Sequence, residues 1–255
     1  VSIKSKGQSL NASVDLGVAL STSGTLNYTG AAGTFAKNIK ALGSGNNTVM
    51  NTGGGLLTLA GTITKNGTVL VLAGGTGGIQ VDGVINGTAA NSDLILNGGN
   101  ITLNATNTYN GPTFVNNANL TLAVADALPG ALILDATSTM AMGANQTMGA
   151  LTGASGSTIN IGSYNLTIGS NGTDSLYEGT LAGSGQITKQ GTNAIKLTGT
   201  NTYNGTTTIN GGVLVFGKPG SLYNGDNSTW TGSNIIVNSG GALALAFGAN
   251  GSFSE

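Results

Sequence analysis

The sequence predicts an all-β protein, on three observations. Apolar residues recur with a period of 2 in short runs, clusters of Gly and Asn separate those runs, and one block of the chain returns about 94 residues later. The block reads NTYNGPTFVNNANLTLA at 107–123 and NTYNGTTTINGGVLVFG at 201–217.

The period comes first because it sets the element type. Leu120, Leu122 and Val124 alternate with Thr121 and Ala123, and Leu94 with Leu96, Ile159 with Ile161, Leu166 with Ile168, and Leu243, Leu245 and Phe247 keep the same phase. Alternation of this kind marks half-buried strands of about 4 to 6 residues. Between them stand Ser44-Gly45-Asn46-Asn47, Gly74-Gly75-Thr76-Gly77-Gly78, Asn97-Gly98-Gly99-Asn100 and Asn210-Gly211-Gly212, turn sequences in which Gly and Asn accept positive φ cheaply. No stretch sustains a 3.6 period. The best helical candidate, around Ala123 to Leu128, is stopped by Pro129-Gly130.

A sandwich shares short strands and regular turns, so self-similarity decides between architectures. LAGSGQITKQGTNAIKLTGTNTYNG begins at Leu181, LAGTITKNGTVLVLAG at Leu59 shares its opening, and ITLNATNTYNG at Ile101 shares its middle. Strand, Gly turn, strand, Asn-Gly turn, strand is one coil of a right-handed parallel β-helix, or β-solenoid, of roughly 20 residues. The expectation is a single solenoid domain over residues 1–255, with related repeat segments near 94–122 and 181–216. Its interior is expected to be aliphatic, with Leu197 and Ile209 inward and Leu214 and Val215 in segments of the same core, and with Thr and Asn on the outside.

Composition agrees. Only 7% of the 255 residues are charged and 45 are glycine, against about 25% charged in an ordinary soluble domain. A mean hydropathy of +0.16 argues against disorder. The net charge is -1 and every basic residue is lysine, so no basic, arginine-bearing surface exists for nucleic acid. No run of about 18 apolar residues spans a bilayer. Val1 opens the chain without a signal peptide, so either one has been removed or the chain is a segment of something larger.

The segment from Leu181 to Phe216 resembles the passenger-associated transport repeat of bacterial autotransporters. Leu181, Gly183, Gly185, Thr188, Lys189, Gly191, Leu197, Thr198, Gly199, Asn201, Thr202, Tyr203, Gly205, Thr207, Ile209, Gly212 and Leu214 carry the resemblance, and residues 94–122 carry it more loosely, departing at Pro112 and Asn119. The resemblance implies a secreted β-helical passenger and a role of the repeat in its export and folding. Bottom-up, Asn201, Tyr203, Asn204 and Gly205 read as the corner of a coil: Thr202-Tyr203 ends a strand with Tyr203 packed on a neighbouring coil, and Asn204-Gly205 turns toward the strand that Thr206 begins.

Chemistry is sparse. Without His or Cys the chain builds neither a Ser-His-Asp triad nor a thiolate or imidazole metal site, and no catalytic residue, cofactor or metal is expected. The closest acid pair, Asp174 and Glu178, would lie about 13 Å apart in an extended strand. GGTGGIQVD at 74–82 resembles a calcium nonapeptide but has Ile79 where an aspartate is needed. Sequons stand at Asn11, Asn27, Asn46, Asn66, Asn86, Asn100, Asn104, Asn119, Asn145, Asn165, Asn171, Asn204, Asn227 and Asn250. They are candidate glycosylation sites, or simply the product of Asn in turns followed by Thr in strands.

Two functions fit. One is a non-catalytic, extracellular, structural or adhesive passenger-like scaffold at the cell surface or outer envelope, contacting host or neighbouring-cell surface molecules. The other is a self-assembling envelope subunit (surface layer, sheath or filament) that meets its own copies through terminal strands, with Leu243, Leu245 and Phe247 as the candidate contact.

Overall fold

The computed structural model describes residues 2–3 and 14–16, by their backbone, and residues 23–89 and 92–246. Two compact units divide the chain, Val1–Pro129 and Gly130–Glu255. In each, short parallel strands stack coil upon coil into a three-faced β-solenoid.

In the first unit, one face stacks Thr25–Tyr28, Asn47–Asn51 and Leu70–Ala73 on the leading halves of Leu94–Leu103 and Thr113–Leu122. The second face stacks Gly33–Phe35, Leu57–Leu59 and Ile79–Val81 on the trailing halves of the same two long strands. The third runs through Val14–Leu16, Ile39–Ala41, Ile63–Lys65, Ile85–Gly87 and Thr108–Tyr109. Every registered pair is parallel.

In the second unit, the first face runs through Leu132–Leu134, Leu151–Gly153, Ser175–Tyr177, Ala194–Leu197, Gly212–Phe216 and Gly241–Leu245. Thr139–Met142, Thr158–Gly162 and Thr180–Gly183 form the second face. The third holds Gln146–Thr147, Asn165–Ile168, Gln186–Lys189, Thr207–Ile209 and Ile235–Val237. Ala194 pairs with Val213 but Gly212 with Gly241, so one coil takes 19 residues and the next takes 29. The extra length lies in three 3-10 turns, Pro219–Ser221, Tyr223–Gly225 and Asn227–Thr229.

Period-2 alternation explains the packing. Leu94, Leu96, Leu120, Leu122, Ile159, Ile161, Leu166, Ile168, Leu197, Ile209 and Leu214 are at most 1% exposed. Because strands are in register, each inward residue lies over an inward residue of the next coil: Leu72 on Val49, Leu96 on Leu72. Such aliphatic columns need no charge to hold them. Corners must be narrow, and glycine stacks on glycine there. A Cβ on Gly199 would run into the backbone of Gly179, and one on Gly205 into that of Gly185.

Two expectations need correction. The interior is not purely aliphatic: Lys65 and Lys189 are buried, as are Asn47, Asn51, Asn107, Asn193 and Asn201. Nor does Thr202-Tyr203 end a strand. Residues 201–206 carry no strand: the Thr202 and Tyr203 N–H groups both donate to the one carbonyl of Leu181, at 2.8 and 3.2 Å, in place of a regular ladder.

Candidate functional site

The corner NTYNG recurs because its first asparagine joins three coils. Asn201 Oδ1 accepts the Leu181 N–H at 2.9 Å from the coil below, and its Nδ2 donates to the Ser221 carbonyl at 2.7 Å in the coil above. Asn107 repeats this in the first unit, accepting from the Ile85 N–H at 2.7 Å and donating to Ala127 O at 2.7 Å. At such a corner the strand ladder is interrupted, and buried N–H and C=O groups left unpaired are costly. A carboxamide supplies one acceptor and two donors at one position, which is why Asn stands here. Asn47 does a related job, accepting from Gly24 N and donating to Leu42 O.

The tyrosine of the motif is inside. Tyr203 is 1% exposed, its hydroxyl is 2.7 Å from Thr207 Oγ1, and its ring lies 5.2 Å from that of Tyr223 on the following coil, tilted by 55°. Tyr109 likewise bonds Thr113 Oγ1. Burial raises both phenols well above their ordinary range, with the threonine hydroxyls partly offsetting it. Asn204 is exposed and Gly205 half-buried.

The lysines were in plain view in the alternation, since Lys65 is in phase with Ile63 and Lys189 with Ile187. Lys189 Nζ donates to the carbonyls of Gln190 at 2.8 Å, Gly191 at 3.2 Å and Gly211 at 3.1 Å, and to Asn193 Oδ1 at 3.1 Å. It thereby ties the turn of one coil to the next. Burial lowers its pKa, with Asp174 acting against the shift. Lys65 Nζ donates to Ser92 O and sits 4.4 Å above the centre of the Tyr109 ring, a cation–π contact. Burial brings its pKa down from 10.5 to about 7, with Asp93 opposing.

Stability should therefore rise with pH through Lys65. Below about pH 7 the amine is protonated in both states and its burial cost is fully felt. Between about 7 and 10.5 the folded chain has released a proton that the unfolded chain keeps, so stability climbs by up to about 1.4 kcal/mol per pH unit. Urea midpoints at pH 6, 8 and 10 should increase for the natural chain. In Lys65→Met that part of the slope should vanish, and the variant should be the more stable of the two at pH 6.

Sequon and non-sequon asparagines part company. Every described sequon Asn is exposed or half-buried, and the five buried asparagines all lack the sequon. Asn165 and Thr167, two apart on a strand, both point outward, and Thr147, Thr167, Thr188 and Thr208 stack in register beside them. Asn100 and Asn119 stack likewise, joined by a 3.0 Å hydrogen bond. Outward Asn and Thr columns thus generate N-x-T as a matter of register. Asn11 and Asn250 lie outside the described residues.

Leu243 and Leu245 are half-buried and pair with Leu214 and Phe216; Phe247 lies outside the described residues. Among the described residues no group of three or more His, Cys, Asp or Glu could hold a metal, and no helix is long and apolar enough to cross a membrane. Asp174 accepts the Ala194 N–H at 2.7 Å, a backbone role.

The stacked corner places the chain in a class, the β-solenoids built on a recurrent asparagine-clamped coil. The passenger-associated-transport-repeat model matches residues 94–122 and 187–216, the segments that contain both tyrosine corners or their flanking strands. The chain is also 32% identical over 218 residues to the Adhesin BmaC autotransporter of Brucella suis biovar 1 (strain 1330), an alignment that takes in 76% of this chain and 6% of that protein. The chain therefore corresponds to a small part of that relative. No solved structure is significantly similar to it. The chain is an autotransporter passenger-like β-helix.

Proposed function

We propose that the chain is a non-catalytic structural and adhesive scaffold displayed outside the cell, part of a passenger whose long outer faces meet molecules on host or neighbouring cells. The observation that carries this reading is how the repeat spends its polar residues. Asn201, Tyr203, Thr207 and Lys189 are bonded inward, coil to coil, so the motif acts in stacking and the outward columns remain for contact. Likeness to an adhesin over most of the chain supports the same reading. Deleting residues 23–246 from the full-length parent protein should lower adherence of the native cells per molecule displayed, with the amount of exported product measured separately, since the deletion also removes both repeat segments. Undiminished adherence would overturn the adhesive role.

One observation favours the second reading, a self-assembling envelope subunit. Ile236 and Val237 are 38% and 47% exposed, near the half-buried Leu243 and Leu245, an apolar strand edge among the described residues that suits strand addition. Electron microscopy of native cells separates the two: a lattice or fibre of this chain supports assembly, isolated molecules the adhesin.

The exposed sequons suit an exported glycoprotein. Natively produced chain should exceed 24.9 kDa by whole glycan units mapped to asparagines such as Asn46, Asn66 and Asn145. An unmodified mass would leave register alone as the origin of the N-x-T pattern.

A further inference from the structure

The 29-residue coil does more than lengthen a turn. Its 3-10 segment arches over the second tyrosine corner and encloses a cleft of about 220 Å³ against Thr202, Tyr203 and Asn204. The floor is formed by Tyr203 and Tyr223, in ring contact. Tyr223 and Asn224 both take positive φ, 47° and 53°, a conformation uncommon for side-chain-bearing residues and best tolerated by Asn; Tyr223 lies in the floor and Asn224 on the rim. Backbone held this way is characteristic of places where position matters more than local comfort.

The rim is polar and uncharged but for one group. Thr202, Asn204 and Asn224 are exposed, and among the described residues none of the three side chains makes a hydrogen bond. Asp226 contributes the one carboxylate, and Thr229 and Asn234 complete the wall. No cationic side chain lines the cleft. Exposed corner asparagines recur along the chain, Asn110 and Asn210 among them; what is particular here is that two amides and a hydroxyl line one recess.

We propose that this cleft binds a single neutral sugar residue, the tip or branch of a glycan. Amides present a donor and an acceptor side by side, the arrangement that neighbouring hydroxyls of a pyranose satisfy reciprocally. The volume is below the roughly 300 to 1,000 Å³ of sites for drug-sized ligands, which fits one ring and leaves the rest of a glycan in solvent. Asp226 accepts hydroxyl protons and repels uronic and sialic acids. The inference rests on the adhesive reading and gives it a ligand class.

The test uses the intact purified chain, made without glycosylation, on an array of neutral and acidic glycans, with titration calorimetry against the neutral monosaccharides that bind. Neutral glycans should be retained over sialylated and uronate-containing ones. Asn224→Ala and Thr202→Val, both on exposed side chains, should each weaken binding by about tenfold, the loss of one or two hydrogen bonds, with thermal unfolding unchanged in Thr202→Val and only slightly lowered in Asn224→Ala, because Ala tolerates the positive φ of that position less well than Asn. Asp226→Asn should admit acidic sugars. Absence of binding to any neutral glycan, or binding indifferent to both rim substitutions, would overturn the cleft as a sugar site. Adherence of native cells is scored separately: cells that adhere through a parent protein carrying Asn224→Ala retain the adhesive role with a different contact surface, whereas lost adherence only on deleting residues 23–246 speaks to the scaffold and not the cleft.

Discussion

Leu197→Asp should unfold the coils around it. Leu197 is fully buried, and in register it lies between Tyr177 on the coil below and Phe216 on the coil above, both also fully buried. A carboxylate there finds no partner in its own column, and an unpaired buried charge costs at least about 3–5 kcal/mol, to which the lost burial of a leucine adds about 2 kcal/mol. In a stacked protein such damage is felt first by adjacent coils. Hydrogen exchange should therefore show lost protection at 175–177 and 212–216 before more distant strands. Ile209→Asp makes an informative contrast. It is equally buried, but its register partner is Lys189, whose ammonium can neutralise the new charge. The penalty at 209 should be the smaller of the two by at least about 1 kcal/mol. Equal penalties would mean that Lys189 is held too firmly by its carbonyl cage to turn.

Asn201→Ala should cost nearly as much without changing a single apolar contact. It strands the Leu181 N–H and the Ser221 carbonyl in a buried corner, at about 1–3 kcal/mol for each. A neutral Asp in its place keeps the acceptor and one O–H donor, while an ionised one only accepts, so Asn201→Asp should lie between Asn and Ala where that carboxyl is neutral and fall toward Ala once it ionises. Asn204→Ala, three residues on and exposed, should leave unfolding midpoints within about 0.5 kcal/mol of the natural chain. Guanidine unfolding of the four proteins checks the ranking. An Asn201→Ala variant as stable as Asn204→Ala would remove the clamp from the account of why NTYNG recurs.

How much of this could be read from the sequence follows from where period 2 applies. Along the strands it worked: Leu94, Leu120, Ile159 and Leu214 are inward as the alternation requires, since a pleated strand has only two sides. The same alternation placed Lys65 and Lys189 inward, but residue type argues for the surface, and only their carbonyl cages and the Tyr109 ring make burial tolerable. At corners the alternation has nothing to say. Asn201 and Asn204 belong to one five-residue motif, and one is buried while the other is exposed, as are Asn107 and Asn110 in the first copy, a difference set by position within the turn. The cleft was equally illegible, because the 3-10 turns of 219–229 follow no hydrophobic period and Tyr223 becomes a floor residue only when the coil folds back over Tyr203. The sequon pattern was legible as a pattern. Its register origin, outward Asn and Thr two residues apart on stacked strands, became visible only with the pairing of 145–147, 165–167 and 186–188.

A scaffold that works by contact has to stand outside the cell, and that requirement is open to a direct measurement. Antibodies raised against the purified chain should label intact native cells as strongly as permeabilised ones, and added protease should abolish the label without lysing the cells. Label that emerges only after permeabilisation, and survives protease on intact cells, would place the chain inside and contradict the surface role.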